Sequence, residues 1–351
     1  MVEYRQLGNS GLRVSTLTLG TMGFGGTGFA TNVGKIDVAG ARRQIEIARD
    51  SGVNLFDTAD VYSAGVSEEI LGEALGGSRD DVFVATKVRL PMGDGPNDAG
   101  LSRFHIIRSA EASLRRLKTD HIDLYQVHEW DGLTPLEETL SALDDLVHSG
   151  KVRYIGASNF AAWHLMKSLW TADRHGLTPF VSTQVNYSVQ TRDIEYEIVP
   201  TAVDQGLGIL VWSPLAGGLL SGKYRRGVDA PAGSRHVEGW GEPPVYDVDK
   251  LYDIVEELFA VADNHGATPA QVALAYLLAK PAVTSLVIGA RTEEQLQSNL
   301  AAADLQLEPS EFERLDTVSA FNLPYPFWHH LNAADRLSRA DLTLLARYIK
   351  K

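Results

Sequence analysis

From Leu17 onward, short β-branched and aliphatic runs alternate with longer stretches whose apolar residues recur at threes and fours. That alternation predicts parallel strands joined by crossover helices. The strand candidates are Leu17–Leu19, Leu55–Asp57, Val82–Lys87, His121–Val127, Val152–Ala157, Val181–Val185, Ile209–Trp212 and Ser285–Ile288. Helical stretches include Ala39–Ser51, Ser67–Leu75, Arg103–Leu117, Leu136–Ser149 and Ala161–Ala172. Leu136-Glu137-Glu138 places carboxylates at a helix start, and Gly150 supplies a stop. Eight such units in this length match an α/β (β/α)8 TIM barrel, and no Pro/Gly/Ser linker divides the chain. Residues 1–351 therefore read as one domain, with a barrel core of about 16–303 and a C-terminal extension of about 320–351.

Three segments break the alternation. Tyr4–Leu7 and Leu12–Ser15 flank Gly8-Asn9-Ser10-Gly11 and predict an N-terminal β-hairpin closing one end of the barrel. Leu215–Tyr246 is long, rich in glycine and proline and poor in helical periodicity, which in a compact fold points to a functional lid. The tail carries Phe321, Tyr325, Phe327 and Trp328 before a predicted helix over Asn332–Lys350. Near the start, Gly23-Phe24-Gly25-Gly26-Thr27-Gly28 spells the dinucleotide fingerprint G-x-G-x-x-G. The fingerprint needs a helix opening at its glycines, and Phe29–Asp37 shows no helical periodicity, so the loop reads instead as part of a pocket wall.

Composition narrows the classes. An apolar fraction of 44% and a charged fraction of 22%, with no run long enough to cross a bilayer, describe an ordinary globular chain. The start, Met1-Val2-Glu3-Tyr4-Arg5, lacks a secretory signal, so a cytoplasmic location is expected. The absence of cysteine excludes disulfides, thiolate catalysis and Cys-based metal sites. A net charge of −13 argues against nucleic-acid and anionic-membrane partners and leaves a small molecule as the expected ligand. The basic cluster Lys223-Tyr224-Arg225-Arg226, with Arg235 beyond it, is a solvated surface unless something anionic is held against it.

Candidate chemistry gathers at strand ends. Asp57 ends the second strand candidate and Lys87 the third, His128 follows the fourth, and Tyr62 lies just past the second. In a parallel barrel these groups share one face, and a carboxylate, an ammonium, a phenol and an imidazole suit proton transfer to a carbonyl oxygen. A nearby ammonium stabilises a phenolate, so Lys87 is expected to acidify Tyr62 while Asp57 keeps the amine in place. His128 can donate to the oxygen as negative charge builds there. Asp60 is the neighbour most easily confused with Asp57, which is preferred because it sits in the strand.

These residues resemble the catalytic tetrad of the aldo-keto reductases. The resemblance runs from about Tyr4 to Ala320 and extends to Gly156-Ala157-Ser158-Asn159-Phe160, Gln184-Val185-Asn186-Tyr187, Trp212-Ser213-Pro214-Leu215, Leu220-Ser221-Gly222-Lys223-Tyr224 and Gly289-Ala290-Arg291-Thr292-Glu293-Glu294-Gln295-Leu296. It implies a barrel that binds NADP(H) across the C-terminal face of its strands and reduces aldehydes or ketones, reversibly, with Tyr62 as the acid. By the same resemblance Gly20, Thr21, Met22 and Asp57 border the cofactor, and Ser158, Asn159 and Gln184 bond the nicotinamide carboxamide. Trp212 would stack on the ring, while Ser213, Pro214, Leu215, Gly217, Lys223 and Arg235 fold over the pyrophosphate. Gly289, Arg291, Gln295 and Asn299 would hold the adenosine end, with Arg291 on the 2′-phosphate. The chain departs from the pattern at Ser298, where many relatives carry Glu, and this bears on the adenine contacts.

Phe24 and Trp130, beside Tyr62 and His128, are candidates for the substrate wall. The adjacent His329 and His330 lack nearby carboxylates, and the chemistry needs no metal. Two alternatives stay open. The Leu220–Tyr224 segment also resembles the potassium-channel β-subunits of the same family, which implies a nucleotide-sensing accessory subunit, and a homo-oligomer is compatible with either role. A barrel hydrolase or isomerase would instead use Asp57 and Glu129 as paired carboxylates.

Overall fold

In a computed structural model that describes residues 2–27 and 34–349, eight parallel strands close into a barrel. They are β3 (Leu17–Gly20), β4 (Leu55–Asp57), β5 (Phe83–Val88), β6 (Ile122–Val127), β7 (Val152–Ser158), β8 (Ser182–Asn186), β9 (Gly208–Trp212) and β10 (Val283–Ile288), with β10 pairing back on β3. Each predicted strand is present within two residues of its expected ends. Runs such as Ile122–Val127 are buried throughout because a barrel strand is covered on both faces.

The helices are α1 (Val38–Asp50), α2 (Val66–Leu75), α3 (Arg103–Leu117), α4 (Leu136–His148), α5 (Ala162–His175), α6 (Ile198–Gln205), α7 (Val248–His265), α8 (Pro269–Leu278), α9 (Glu293–Leu300) and α10 (Pro309–Val318). Their ends follow side-chain chemistry. Asp37 caps α1 by accepting from the Gly40 amide, and Thr268 and Gln271 form a capping box around Pro269 at the start of α8. Gly150, at φ 76°, follows α4 where a stop was expected.

The hairpin β1 (Tyr4–Gln6) and β2 (Arg13–Ser15) precedes the barrel, as expected. Leu7, Leu12 and Val14 form a small core with Leu55, Ala85, Leu124 and Leu210, so the hairpin plugs the end where the strands begin. Gly8, at φ 58°, makes that seat possible: a Cβ there would collide with the Val181 and Gly206 carbonyls. The opposite end, where the strands finish, is left to the loops.

The tail differs from expectation. One helix was predicted over Asn332–Lys350; the chain instead forms α11 (Phe327–His330), a 3-10 turn over Leu331–Arg336, α12 (Arg339–Leu345) and a further 3-10 turn. Ala333 leaves helical geometry, Leu337 is extended, and Ser338 restarts a helix by capping the Asp341 amide. Lys350 lies outside the described residues. The tail packs on α6, and Phe321 meets Tyr196 edge-on at 4.8 Å. Tyr325 and Trp328 remain exposed.

A charged network anchors this tail. Arg192 forks onto Glu195 with two bonds of 2.9 Å, Lys280 and Arg347 reach Asp316 at 2.9 and 3.1 Å, and Arg347 also pairs with Glu195. Burial tends to raise the Asp316 pKa, but Lys280, Arg192 and the Tyr276 hydroxyl outweigh it and hold the group at about 2. A depressed carboxyl contributes stability in full above its unfolded value and loses it as pH falls through the folded one. The urea midpoint is therefore expected to drop as pH is lowered from about 5 to about 2, and Asp316→Asn, less stable near neutrality, to drop less over that window.

Candidate active site

Strand register brings the predicted proton-transfer residues together at the C-terminal mouth. Asp57 lies opposite Ala85, and Lys87 opposite Gln126, so all rise from neighbouring strands at similar height. The Lys87 amine donates to Asp57 Oδ1 at 2.5 Å, to the Thr58 carbonyl at 2.8 Å and to the Tyr62 hydroxyl at 3.5 Å. Asp57 Oδ2 accepts from Gln184 at 2.8 Å and from Gln126 at 3.3 Å. With both oxygens engaged, Asp57 is a holder of the amine, which disfavours pairing it with Glu129 as an acid–base couple. The Tyr62 and His128 rings meet edge to face, centroids 5.9 Å apart.

Tyr62 is presented by an unusual turn. Ser63 and Ala64 follow it at φ 51° and 55°, a region that non-glycine residues seldom occupy, and the Ser63 hydroxyl donates to the Phe24 carbonyl. Asn159, Ser213 and Ala216 share that backbone region at the ends of β7 and β9, and Arg89 after β5 stands at φ 137°. Such strain concentrates at functional sites.

The electrostatics amend one expectation. Burial raises the Tyr62 pKa, and Lys87 lowers it without overcoming burial, so the unliganded phenol is a weaker acid than free tyrosine. Lys87 was expected to acidify it outright; the cost of a buried phenolate is the reason it does not. For Lys87 itself burial is unfavourable, but Asp57 and then Tyr62 raise its pKa, so the ammonium persists at neutral pH. Burial, with Lys87 and Arg89 nearby, holds the His128 imidazole well below the ordinary histidine value, and its buried Nδ1 has no hydrogen-bond partner among the described residues.

Asp60 is fully buried, and neither of its carboxylate oxygens has a hydrogen-bond partner among the described residues. Burial and then Glu68 push its pKa well up. It does not pair with Lys87, which separates it from Asp57.

The residues matched to a dinucleotide line the same mouth. The Ser158 hydroxyl is buried without a partner among the described residues, as a group awaiting a ligand would be. Asn159 donates to the His128 carbonyl and accepts from Trp212 Nε1 at 2.9 Å, which fixes the indole. The Ser213 hydroxyl accepts from the Gly217 amide at 2.8 Å, Pro214 is buried, and Leu215 packs on the core. Gly20 ends β3 and Gly289 follows the end of neighbouring β10, and a Cβ on Gly20 would press on Val287. Thr21 is turned inward, bonded to Ser67 and the Asp57 carbonyl, while Met22 is half-buried in the next turn. Arg291 reaches across to the Gly233 carbonyl at 2.6 Å, and its amide donates to Gln295. Asn299 is buried near the Gly289 carbonyl.

Lys223, Arg235 and Arg291 form a cluster of like charge. Burial lowers the pKa of Lys223 and of Arg235, and Arg291 lowers each further. Concentrated cations of this kind favour an anion with several charges, which a phosphate-bearing cofactor supplies. The residues present therefore fit a dinucleotide.

Other expectations meet mixed settings. Phe24 is buried in the core, 1% exposed. Trp130 is half-buried and stacks on His164 at 4.1 Å. Among the described residues no helix opens at the Gly23–Gly28 fingerprint, α1 starting at Val38; Gly28 itself, with residues 29–33, lies outside the described residues. Among the described residues no cluster of three or more potential ligands could hold a metal, His329 and His330 included. No described helix is long and apolar enough to cross a membrane. Within Leu215–Tyr246, where an irregular lid was expected, the chain first forms a 3-10 helix over Ala216–Ser221, and only residues 222–246 carry no helix or strand. Gln126 was missed, although it precedes His128 by two residues and strand alternation puts both on one face. The Thr58 carbonyl carried no signal, being backbone.

Comparison with known proteins agrees with this geometry. A family model described as "Aldo/keto reductase family" matches residues 16–320. The chain is 42% identical to "Uncharacterized oxidoreductase YrpG" of Bacillus subtilis over 90% of its length and 96% of that protein's. It is 37% identical to "Probable voltage-gated potassium channel subunit beta" of Arabidopsis thaliana and 36% identical to "Versiconal hemiacetal acetate reductase" of Aspergillus parasiticus, each again over 90% of this chain and 96% of the relative.

Proposed function

The chain belongs to the aldo/keto reductase family, an oxidoreductase fold for carbonyl reduction, and from that premise we propose that it reduces an aldehyde or ketone with NADPH, using Tyr62, Lys87, Asp57 and His128. The observation that carries this reading is the bonded series Asp57–Lys87–Tyr62 with His128 edge-on to the phenol, all at the end of the barrel where the strands finish. The nicotinamide, when bound, supplies a hydride to the carbonyl carbon.

The chain's own residues handle the proton. Tyr62 enters protonated, since its raised pKa keeps the phenol neutral at working pH. As charge develops on the substrate oxygen, Tyr62 gives up its proton, and the fixed Lys87 ammonium stabilises the phenolate left behind. His128, neutral at the same pH, donates a hydrogen bond to that oxygen without adding a cation that would compete with Lys87. Asp57 holds the amine through its 2.5 Å bond, and Gln184 and Gln126 hold Asp57. Trp212, locked by Asn159, offers a flat surface for the ring, and the Ser158 hydroxyl is placed for its carboxamide.

The test follows NADPH absorbance with a panel of aromatic and aliphatic aldehydes. Turnover is expected, and failure with every carbonyl tried would remove the enzymatic reading. The likeness to proteins named as potassium-channel β-subunits supports a second reading, an accessory subunit that binds NADPH and turns over slowly. Co-purification with a channel, together with negligible turnover, would favour it.

Preference for NADPH over NADH rests on Arg291, whose guanidinium can grip a phosphate with two bonds but gains little from a ribose hydroxyl. Arg291→Ala is expected to weaken NADP⁺ binding by about 10–100-fold and NAD⁺ binding far less. Dissociation constants for both cofactors in both proteins check this, and an unchanged ratio would take Arg291 out of the role.

A further inference from the structure

We propose that His236, in the lid, is an anion-binding residue for the diphosphate bridge of the dinucleotide, and that it takes up a proton from solvent when the dinucleotide binds. This rests on the dinucleotide reading above and adds to it a residue and a proton linkage.

The geometry begins at the turn after β9. Gly217 and Gly218, at φ 63° and 98°, carry no side chain, and the His236 ring and the Lys223 amine converge on them, with the Glu242 carbonyl also 2.6 Å from where a Cβ on Gly217 would stand. His236 Nε2 lies 2.8 Å from where a Cβ on Gly217 would stand, and Lys223 Nζ 3.1 Å from the equivalent point on Gly218. That Nε2 is buried and has no hydrogen-bond partner of good geometry among the described residues; the ring's weaker interaction is with the Ala216 backbone, and a ligand oxygen would complete the nitrogen. The ring is held from behind: its own amide donates to the Tyr224 hydroxyl at 3.3 Å, and the two rings meet edge to face at 5.9 Å.

Position along the site selects the diphosphate. Trp212, placed for the nicotinamide ring, lies five residues before Gly217, and Arg291, placed for the adenosine phosphate, reaches the lid at Gly233. The Gly217–Gly218 turn falls between those ends, as the diphosphate does between the two rings of the ligand.

The charged and titratable groups bearing on His236 are Lys223, Arg235 and Tyr224, with Arg291 acting on both cations. Among the described residues no carboxylate pairs with Lys223, Arg235 or His236. Burial lowers the His236 pKa; the Ala216 carbonyl opposes this, and Lys223 and Arg235 reinforce it. The unliganded ring is thus neutral at working pH. A diphosphate against Nε2 reverses the balance, because its negative charge offsets the cations and rewards an imidazolium donor. Affinity is then full below the free-state pKa and declines as pH rises through the bound-state value.

The experiment measures Kd for NAD⁺ and NADP⁺ between about pH 5.5 and 8.5, for the wild type and His236→Gln. NAD⁺ is the cleaner probe, since its diphosphate does not titrate in this window whereas the 2′-phosphate of NADP⁺ has a pKa of about 6. Wild-type affinity for NAD⁺ is expected to fall about tenfold across the window, and His236→Gln to be flat near the wild-type high-pH value. Calorimetry of the wild type in buffers of different ionisation enthalpy should show net proton uptake with NAD⁺ and needs no variant. Parallel pH slopes in the two proteins, or no proton uptake, would overturn the proposal while leaving dinucleotide binding intact. Absence of binding by either dinucleotide would sink this proposal and the cofactor reading together.

Discussion

Tyr62→Phe is expected to lower kcat for aldehyde reduction by about 10²–10⁴-fold while leaving the Kd for NADPH almost unchanged. The substitution removes one hydroxyl and preserves the ring that meets His128 edge to face and lies 5.0 Å from the Lys87 amine. What is lost is the hydroxyl proton that Tyr62 would hand to the substrate oxygen. His128 cannot replace it, because its environment holds it neutral, able to donate a hydrogen bond but poorly able to carry a transferable positive charge. Steady-state kinetics with one aldehyde, beside a binding titration, check both halves. Equal kcat in the two proteins would mean that the acid lies elsewhere.

The second large effect is on stability as well as rate. Lys87→Met should abolish measurable reduction and cost about 3–5 kcal/mol of folding free energy, because it leaves the Asp57 charge buried beside an apolar chain. Among the described residues Asp57 would keep its bonds from Gln184 and Gln126. The double variant Lys87→Met/Asp57→Asn should recover much of the stability and none of the activity, since the unpaired charge is gone but so is the ammonium. Urea unfolding of the two variants separates these cases, and equal destabilisation in both would show that packing of the lysine stem, not charge, dominates. The linkage has a definite sign. Because the folded-state pKa of Lys87 is raised, its contribution is complete at neutral pH and fades only as alkali carries pH through that raised value.

The pKa directions qualify how Lys87 assists. In the unliganded protein it does not make Tyr62 a stronger acid than free tyrosine, because burial of the phenol outweighs the ammonium. Its benefit lies in the phenolate state: without Lys87 a buried phenolate would be less favourable still, and the difference is felt when the proton leaves. A fixed cation that meets charge only as it develops lowers a barrier without binding the ground state more tightly.

Particular residues show how far reading the chain could go. Lys87 and His128 were visible because each follows a short apolar run, and in a parallel barrel every such end lies at one mouth. The hairpin was visible from its glycine-flanked turn, and the irregular stretch over residues 222–246 from its lack of periodicity. The tail helix was misjudged because composition alone does not reveal the extended Leu337 or the new cap at Ser338. Gln126 lay two residues from His128 and was still passed over, because a strand glutamine is equally at home as a core hydrogen bonder. His236 carried no signal at all, being one polar residue in a stretch without regular structure.

Alternating short and long apolar periods were enough by themselves to determine a closed α/β barrel and the end of it where polar chemistry collects, because those periods are local consequences of 3.6-residue and two-residue repeats. Only the folded chain decided that Gln126 and Gln184 hold Asp57, that burial outweighs the ammonium at Tyr62, and that His236 hangs over Gly217. Those outcomes depend on distances and desolvation between segments remote in sequence, quantities that strand register and loop closure create and that no local pattern contains.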